Sequence, residues 1–149
     1  MLKLQNISKS YNDKVVLNDI NLEINAGEIV SLLGPSGGGK TTLLNIILGL
    51  TKMDSGQIIF HDQDLSNVPM KNRGFNIVFQ DYALFPHLNA YENIVYGMKN
   101  NKNLVTADEL QEYIDFLELE PHLPKKIGEL SGGQKQRVAL ARTLVTKPN

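Results

Sequence analysis

Apolar positions along the chain fall into short alternating runs at the start and helix-period runs towards the end. Leu2-Lys-Leu-Gln-Asn-Ile-Ser8 alternates weakly and predicts a strand. Asn12-Asp13 marks a turn, Val15 to Ile24 holds one or two further strands, and Ala26-Gly27 is another turn. This opening predicts an antiparallel, strand-rich segment. Glu28-Ile-Val-Ser-Leu-Leu33 is apolar and β-branched and predicts a buried strand. Thr41 to Leu50 predicts a helix. Asp54-Ser55-Gly56 reads as a turn and Gln57 to Phe60 as a short strand, followed by a polar loop from Asp62 to Asn72 that contains Pro69. Gly74-Phe-Asn-Ile-Val-Phe79 predicts a second strongly apolar strand, ending at Gln80.

Capping patterns then dominate. Asn89 with Glu92, Thr106 with Glu109, and Ser131 with Gln134 each pair an N-cap residue with an acid or amide three places on. The first predicts a helix to about Met98, before the polar break Lys99-Asn-Asn-Lys-Asn103. The second predicts a helix with Leu110, Ile114 and Leu117 on one face beside Tyr113, ended by Pro121 and Pro124. The third opens a helix from Lys135 to Val145, with a stripe of Val138, Ala141, Leu144 and Val145, ending before Pro148. Residues from about 89 to 127 read as a small helical insert.

Composition narrows the class without naming a chemistry. The 149 residues are 42% hydrophobic and 21% charged, an ordinary balance for one globular domain. A formal net charge of −1 gives no bulk attraction to nucleic acid or to an anionic membrane. The absence of cysteine excludes disulfides and thiolate metal sites. Met1-Leu-Lys-Leu-Gln-Asn has no apolar core of a signal peptide, and no run approaches 18 apolar residues, so any membrane role is expected to be peripheral and through a partner.

The strongest chemical signal is Gly34-Pro35-Ser36-Gly37-Gly38-Gly39-Lys40-Thr41, which fits G-x-x-x-x-G-K-[ST], the phosphate-binding P-loop. A polyphosphate needs many donors at once. Glycines let the backbone bend and bring its N–H groups close. Lys40 is expected to place an ammonium on the β- and γ-phosphates, and Thr41 a hydroxyl on Mg²⁺. A buried strand before the loop and a helix after it supply the expected setting, with the positive end of the helix facing the anion.

Four other features allow two readings each. Tyr11, at the mouth of the first turn, could stack on a flat base or be a half-buried turn residue. Gln80, at a strand end, could bind Mg²⁺, hold a water, or simply be solvated. Ala83-Leu-Phe-Pro-His-Leu88 reads as a docking surface or as a loop packed on its own domain. In Leu130-Ser-Gly-Gly-Gln134, two glycines just inside a helix cost about 1 kcal/mol each. They could bare N–H groups for a second anion site, or merely loosen the helix entry.

Gly34 to Thr41, Gln80, and Leu130 to Gln134, in this order, resemble the ATPase subunit of ATP-binding-cassette (ABC) transporters. Gly74 to Leu88 and Gln136 to Arg142 look like the bacterial importer branch. The resemblance covers nearly the whole chain. It implies an α/β P-loop NTPase fold: a mixed or parallel sheet with flanking helices, an N-terminal antiparallel β subdomain and a small helical subdomain. The implied function is an ATP-binding subunit that couples ATP binding and hydrolysis to solute import. The alternatives are a non-hydrolysing nucleotide-binding fragment and a non-transport ABC ATPase.

The implied cofactors are ATP and Mg²⁺. Tyr11 would stack on adenine. Gly34, Pro35, Ser36, Gly37, Gly38, Gly39, Lys40, Thr41 and Thr42 would wrap the phosphates. Thr41 and Gln80 would hold Mg²⁺, and Lys40 and Gln80 would serve catalysis. Ser131, Gly132, Gly133 and Gln134 would clamp the nucleotide of a second subunit in a head-to-tail dimer. The loop Gln80 to Leu88 would meet the membrane-spanning permease, with a solute-binding protein engaged indirectly and no nucleic acid involved. The subunit would lie in the cytoplasm, peripheral on the inner face of the membrane.

Two departures from the family pattern stand out. Gly38 sits where serine is common, a change expected to be tolerated because the backbone does the binding. In the family, a hydrophobic strand ending in Asp-Glu, the Walker B strand with its general base, follows the last helix. This sequence ends at Lys147-Pro-Asn149. The expectation is a single, incomplete domain over 1–149, with an ATP-binding core at 1–88 and a helical subdomain at 89–145. Alone, it is expected to be inactive, with uncovered apolar edges, and either to aggregate, to borrow strands from another copy, or to be a piece cut from a longer chain.

Overall fold

The computed structural model describes residues 1–98 and 105–148, so the predicted polar break at Lys99 to Asn103 lies outside the described residues. The chain divides into two compact units, Met1–Phe75 and Asn76–Asn149.

The first unit is built on an antiparallel sheet of β1 (Leu2–Tyr11), β2 (Lys14–Ile24), β3 (Ser55–Phe60) and β4 (Gln63–Asp64), in the order β2-β1-β3-β4. Its hairpins follow from local chemistry. Asn12 and Asp13 take φ of 46° and 62°, and His61 and Asp62 take 46° and 63°. Two left-handed residues in succession make the tight turn whose twist matches paired strands.

The weak alternation of the first strand has a structural cause. Leu4 faces Leu22 and Ile7 faces Ile20, so three steps on β1 oppose two on β2. This bulge turns both Leu4 and Ile7 inward, where they are 2% and 0% exposed. Asn6, at φ 53°, is fixed there by Nδ2–H to Asp19 Oδ1 at 2.6 Å and by its own N–H to Asn21 Oδ1 at 2.9 Å. Gly56 lies against the bulge. A Cβ on it would come within 2.6 Å of Gln5 O, and β3 therefore begins at Ser55, inside the predicted turn.

The helix α1 (Lys40–Leu48) lays Leu43 and Ile46 onto Leu4, Ile7, Leu17 and Ile58 to form this unit's core. Gly49, at φ 81°, closes the helix. Beyond it Arg73 is 5% exposed. Its Nη1 donates to Ile46 O at 2.8 Å and Ile47 O at 2.7 Å, and its Nε donates to Val68 O at 2.7 Å. A buried cation on the carbonyl end of α1 meets the negative pole of the helix. Burial pushes this guanidinium below its usual range.

The second unit contains α2 (Ala90–Val95), α3 (Ala107–Phe116) and α4 (Gly132–Leu144), joined by short 3₁₀ turns. All three predicted capping boxes form. Its core gathers Ala90, Ile94, Ile114, Leu117, Leu130, Val138, Ala141 and Val145.

Three expectations are corrected. Residues 28–33 and 74–79 form no strand among the described residues. An apolar β-branched run becomes a strand only where a neighbour completes its hydrogen-bond ladder, and neither run has one here. Ile29 and Leu33 are consequently 95% and 92% exposed rather than buried. The ladders that do form are all antiparallel, so the N-terminal β subdomain is present, while a parallel portion through those two runs is not among them. Third, α3 ends at Phe116, ahead of the prolines, because Glu118 turns left-handed at φ 52°.

Candidate functional site

The segment between β2 and α1 folds as a loop over the start of the helix. Gly39 is its fixed point. It is buried, takes φ 79°, and caps α1, whose Leu43 N–H bonds to Gly39 O at 2.9 Å. A Cβ there would sit 2.9 Å from both Val16 O and Leu17 Cδ2, so glycine is required twice, by conformation and by the close approach of β2. Gly37, at φ 78°, has open space around it, and Gly38 N–H bonds back to Pro35 O at 3.1 Å. The serine common at position 38 in the resembling family would bring a Cβ within 3.0 Å of Pro35 O.

Lys40 folds back across this loop. Its Nζ donates to Gly34 O at 2.8 Å and to Pro35 O at 2.7 Å. The ammonium is thereby held at the loop itself instead of trailing into solvent. Successive N–H groups at a helix start and a nearby ammonium are the kinds of donor that highly charged anions take.

The loop lines a cavity of about 440 Å³ with Tyr11, Val16, Ser36, Gly37, Gly38, Gly39, Lys40, Thr41 and Thr42 around it. Tyr11, a residue 47% exposed, is thus brought beside the phosphate-type loop. Lys9 Nζ lies 5.2 Å from the centre of that ring and is itself fixed by Asp54 Oδ1 at 2.6 Å. Asp54 also accepts from Ser10 N–H at 2.7 Å, and the Lys9 bond, then the Ser10 bond, hold its carboxyl below the usual range. Lys9, Asp54 and Val16 carry no sequence signal for this role. Their proximity exists only through the pairing of β1 with β2 and β3. Gly34 and Pro35 do not line the cavity and act instead through their carbonyls.

Gln80, Ser131, Gly132, Gly133 and Gln134 lie in the second unit. Gln80 is exposed at the start of a turn. In the following loop, Leu84 packs against the core of its own unit and the Phe85 ring lies 4.3 Å from that of Tyr96, tilted by 41°, leaving Ala83, Pro86 and His87 exposed. Ser131 Oγ accepts from Gln134 N–H at 3.3 Å, and Gln134 Oε1 accepts from Ser131 N–H at 2.8 Å. Gln134 Nε2 also lies 3.1 Å from His122 Nε2. The cap thus occupies both flanking side chains, and the N–H groups of the first helical turn at Gly132 and Gly133 have no partner within the helix. Neither glycine has a positive φ. Gly133 has nothing near a would-be Cβ, and Gly132 has only Tyr82 Oη at 3.6 Å. Packing within the chain gives no reason for either glycine.

Thr41, in the first unit, carries a hydroxyl and Gln80, in the second, an amide oxygen, each a hard donor of the kind Mg²⁺ takes. No helix among the described residues is long and apolar enough to cross a membrane.

The family model described as ABC transporter matches residues 17–149. The spermidine/putrescine import ATP-binding protein PotA of Spiroplasma citri is 51% identical over 99% of this chain and 43% of its own length. The protein of the same description from Mycoplasma capricolum subsp. capricolum is 49% identical over the same shares. The chain therefore spans less than half the length of these relatives. Among solved structures, an ATP-binding cassette in a dimeric post-hydrolysis state bound to ADP and Pi superposes with a TM-score of 0.80 at 36% identity, over 99% of this chain and 71% of that one.

Proposed function

Because this chain belongs to the ABC transporter family and has the α/β fold of its ATP-binding cassettes, we propose that it is the nucleotide-binding part of an importer subunit. The relatives' names point to polyamines, spermidine and putrescine, as the solute. The observation that carries the reading is the cavity that gathers Tyr11 with Ser36 to Thr42 at the start of α1, with the Lys40 ammonium held on the same loop.

In this reading Tyr11 stacks on adenine, and the N–H groups from Ser36 to Thr42 take the phosphate oxygens, that of Gly38 leaving Pro35 O to do so. Lys40 leaves the carbonyls of Gly34 and Pro35 for the β- and γ-phosphates. Thr41 and Gln80 hold Mg²⁺, which neutralises phosphate charge. Ser131, Gly132, Gly133 and Gln134 present their open helix start to the γ-phosphate held by a second copy, so nucleotide favours the closed dimer by its differential affinity for that state. The glycines without an internal packing role support this assignment. Residues 80–88 meet a membrane-embedded permease, with the subunit on the cytoplasmic face. The family-type boundary between the core and the helical subdomain is proposed near residue 88, although residues 76–88 group with the helical unit by compactness.

Phosphoryl transfer needs a group that orients the attacking water in addition to charge stabilisation. None of the residues in the cavity is a carboxylate. We assign turnover to the longer protein. Calorimetry and phosphate release test this together. Full-length protein is expected to bind Mg-ATP and hydrolyse it, and the 149-residue chain to release no phosphate. Absence of binding heat in the full-length protein would remove the nucleotide reading. Turnover in the shorter chain would show that the base lies within it.

Tyr11→Ala tests the adenine site. Loss of one stacking contact costs about 1–3 kcal/mol. Affinity for ATP is expected to fall roughly 5- to 150-fold by that measure, while competition by inorganic triphosphate stays unchanged. An equal loss for both ligands would assign Tyr11 to the shape of the loop instead.

A further inference from the structure

Tyr82 and Ala83 take φ of 65° and 44°. Side-chain-bearing residues disfavour this region by roughly 1–2 kcal/mol each, so two in succession need an external hold. Arg142, in the last turn of α4, provides it. Its Nη1 donates to Ala83 O at 2.8 Å and its Nη2 to Tyr82 O at 3.0 Å. The same guanidinium lies 5.5 Å from the centre of the Phe85 ring. From the other side Asn93, fully buried on α2, accepts from Phe85 N–H at 2.8 Å and donates to Phe85 O at 3.1 Å. At the opposite end of α4, Tyr82 Oη lies 3.6 Å from where a Cβ on Gly132 would sit. The segment 82–85 is therefore tied to the last turn of α4, the helix that Leu130-Ser-Gly-Gly-Gln134 opens.

We propose that Arg142 is a positioning residue that fixes the loop 80–88 to α4, so that the loop and the Ser131–Gln134 helix start move as one body. The proposal rests on the reading that 80–88 meets a permease and 131–134 meets the nucleotide of a second copy. Any displacement of α4 on nucleotide-driven closure then reaches the permease contact directly, without passing through the P-loop. Arginine suits the task for a geometric reason. Its planar fork holds two carbonyls at fixed angles and stacks over a ring, whereas a lysine ammonium would lose both the fixed fork and the stacking.

Hydrogen exchange on the full-length subunit tests the attachment. In Arg142→Gln, amides 82–88 are expected to exchange at least about 10-fold faster while those of α4 stay unchanged. Unchanged loop exchange would overturn the proposal, as would faster exchange throughout α4. Coupling is tested with Mg-ATP turnover, measured on the isolated subunit and on the subunit assembled with its permease, and with uptake of radiolabelled spermidine. Arg142→Gln is expected to keep isolated turnover within about 3-fold and to lose about 10-fold or more of assembled turnover and uptake, with Arg142→Lys between the two. Equal losses in both settings, or no loss on assembly, would overturn it. If the wild-type assembly ignores Mg-ATP or spermidine, the functional reading fails on its own, and the exchange experiment still decides the attachment.

Discussion

Alanine at position 40 in the full-length protein is expected to lower Mg-ATP turnover by roughly 10²–10³-fold, the usual loss when one preorganised charge-stabilising donor is removed. Lys40 has one role in this geometry and a second in the proposed reaction. Bridging Gly34 O and Pro35 O at 2.8 and 2.7 Å, it braces the loop from which the phosphates would be gripped. Transferred to a γ-phosphate, the same ammonium meets charge that develops in the transition state. The two roles separate experimentally. Loss of bracing weakens ADP and ATP alike, whereas loss of the γ-phosphate contact weakens ATP more. Equilibrium titration of both nucleotides, beside the turnover rate, gives the division. A variant with near wild-type turnover would show that the cavity serves something other than the proposed reaction.

Arg73→Ala is expected to destabilise the protein by about 3–5 kcal/mol, read as the shift in equilibrium urea unfolding of the full-length chain. The guanidinium is buried and bonded to Ile46 O, Ile47 O and Val68 O. Alanine leaves these carbonyls without a donor, at about 1–3 kcal/mol for each group that stays unsatisfied. It also leaves a cavity where a long side chain stood. Arg73→Lys is expected to recover part of the loss, because one ammonium cannot occupy the positions of two forked nitrogens. Gly49 belongs to the same arrangement. At φ 81°, with a would-be Cβ 2.7 Å from Arg73 Nε, it leaves the space the guanidinium uses. A shift below about 1 kcal/mol for Arg73→Ala would mean that water replaces the guanidinium at the helix end without strain. Arg73 supports the phosphate loop indirectly, since α1 carries that loop at its other end.

Local signals in the sequence were sufficient wherever a feature depends on neighbouring residues. The three capping boxes formed at Asn89, Thr106 and Ser131 because a cap and its partner are three residues apart. The hairpin at Asn12-Asp13 and the helix after Gly39 follow for the same reason. Residues 28–33 and 74–79 show the limit: their apolarity marks a tendency to pair, but pairing needs a second chain segment in register. The P-loop pattern and Leu-Ser-Gly-Gly-Gln were legible as motifs, since each is a fixed spacing of glycines over a few consecutive residues. The supports of the site were not. Asp54 under Lys9, Val16 against Gly39, Asn93 on Phe85 and Arg142 on Tyr82 join residues separated by 8 to 60 positions.

The sequence by itself determined the family, the two glycine motifs and the helix starts. Each is encoded over a few consecutive residues, where backbone conformation and side-chain reach suffice. Only the tertiary structure decided that Tyr11 shares a cavity with the phosphate-type loop, that Arg73 closes α1, and that Arg142 ties the 82–85 segment to α4. Such contacts are set by strand register and helix packing, which bring distant residues together and leave no periodic trace in the order of amino acids.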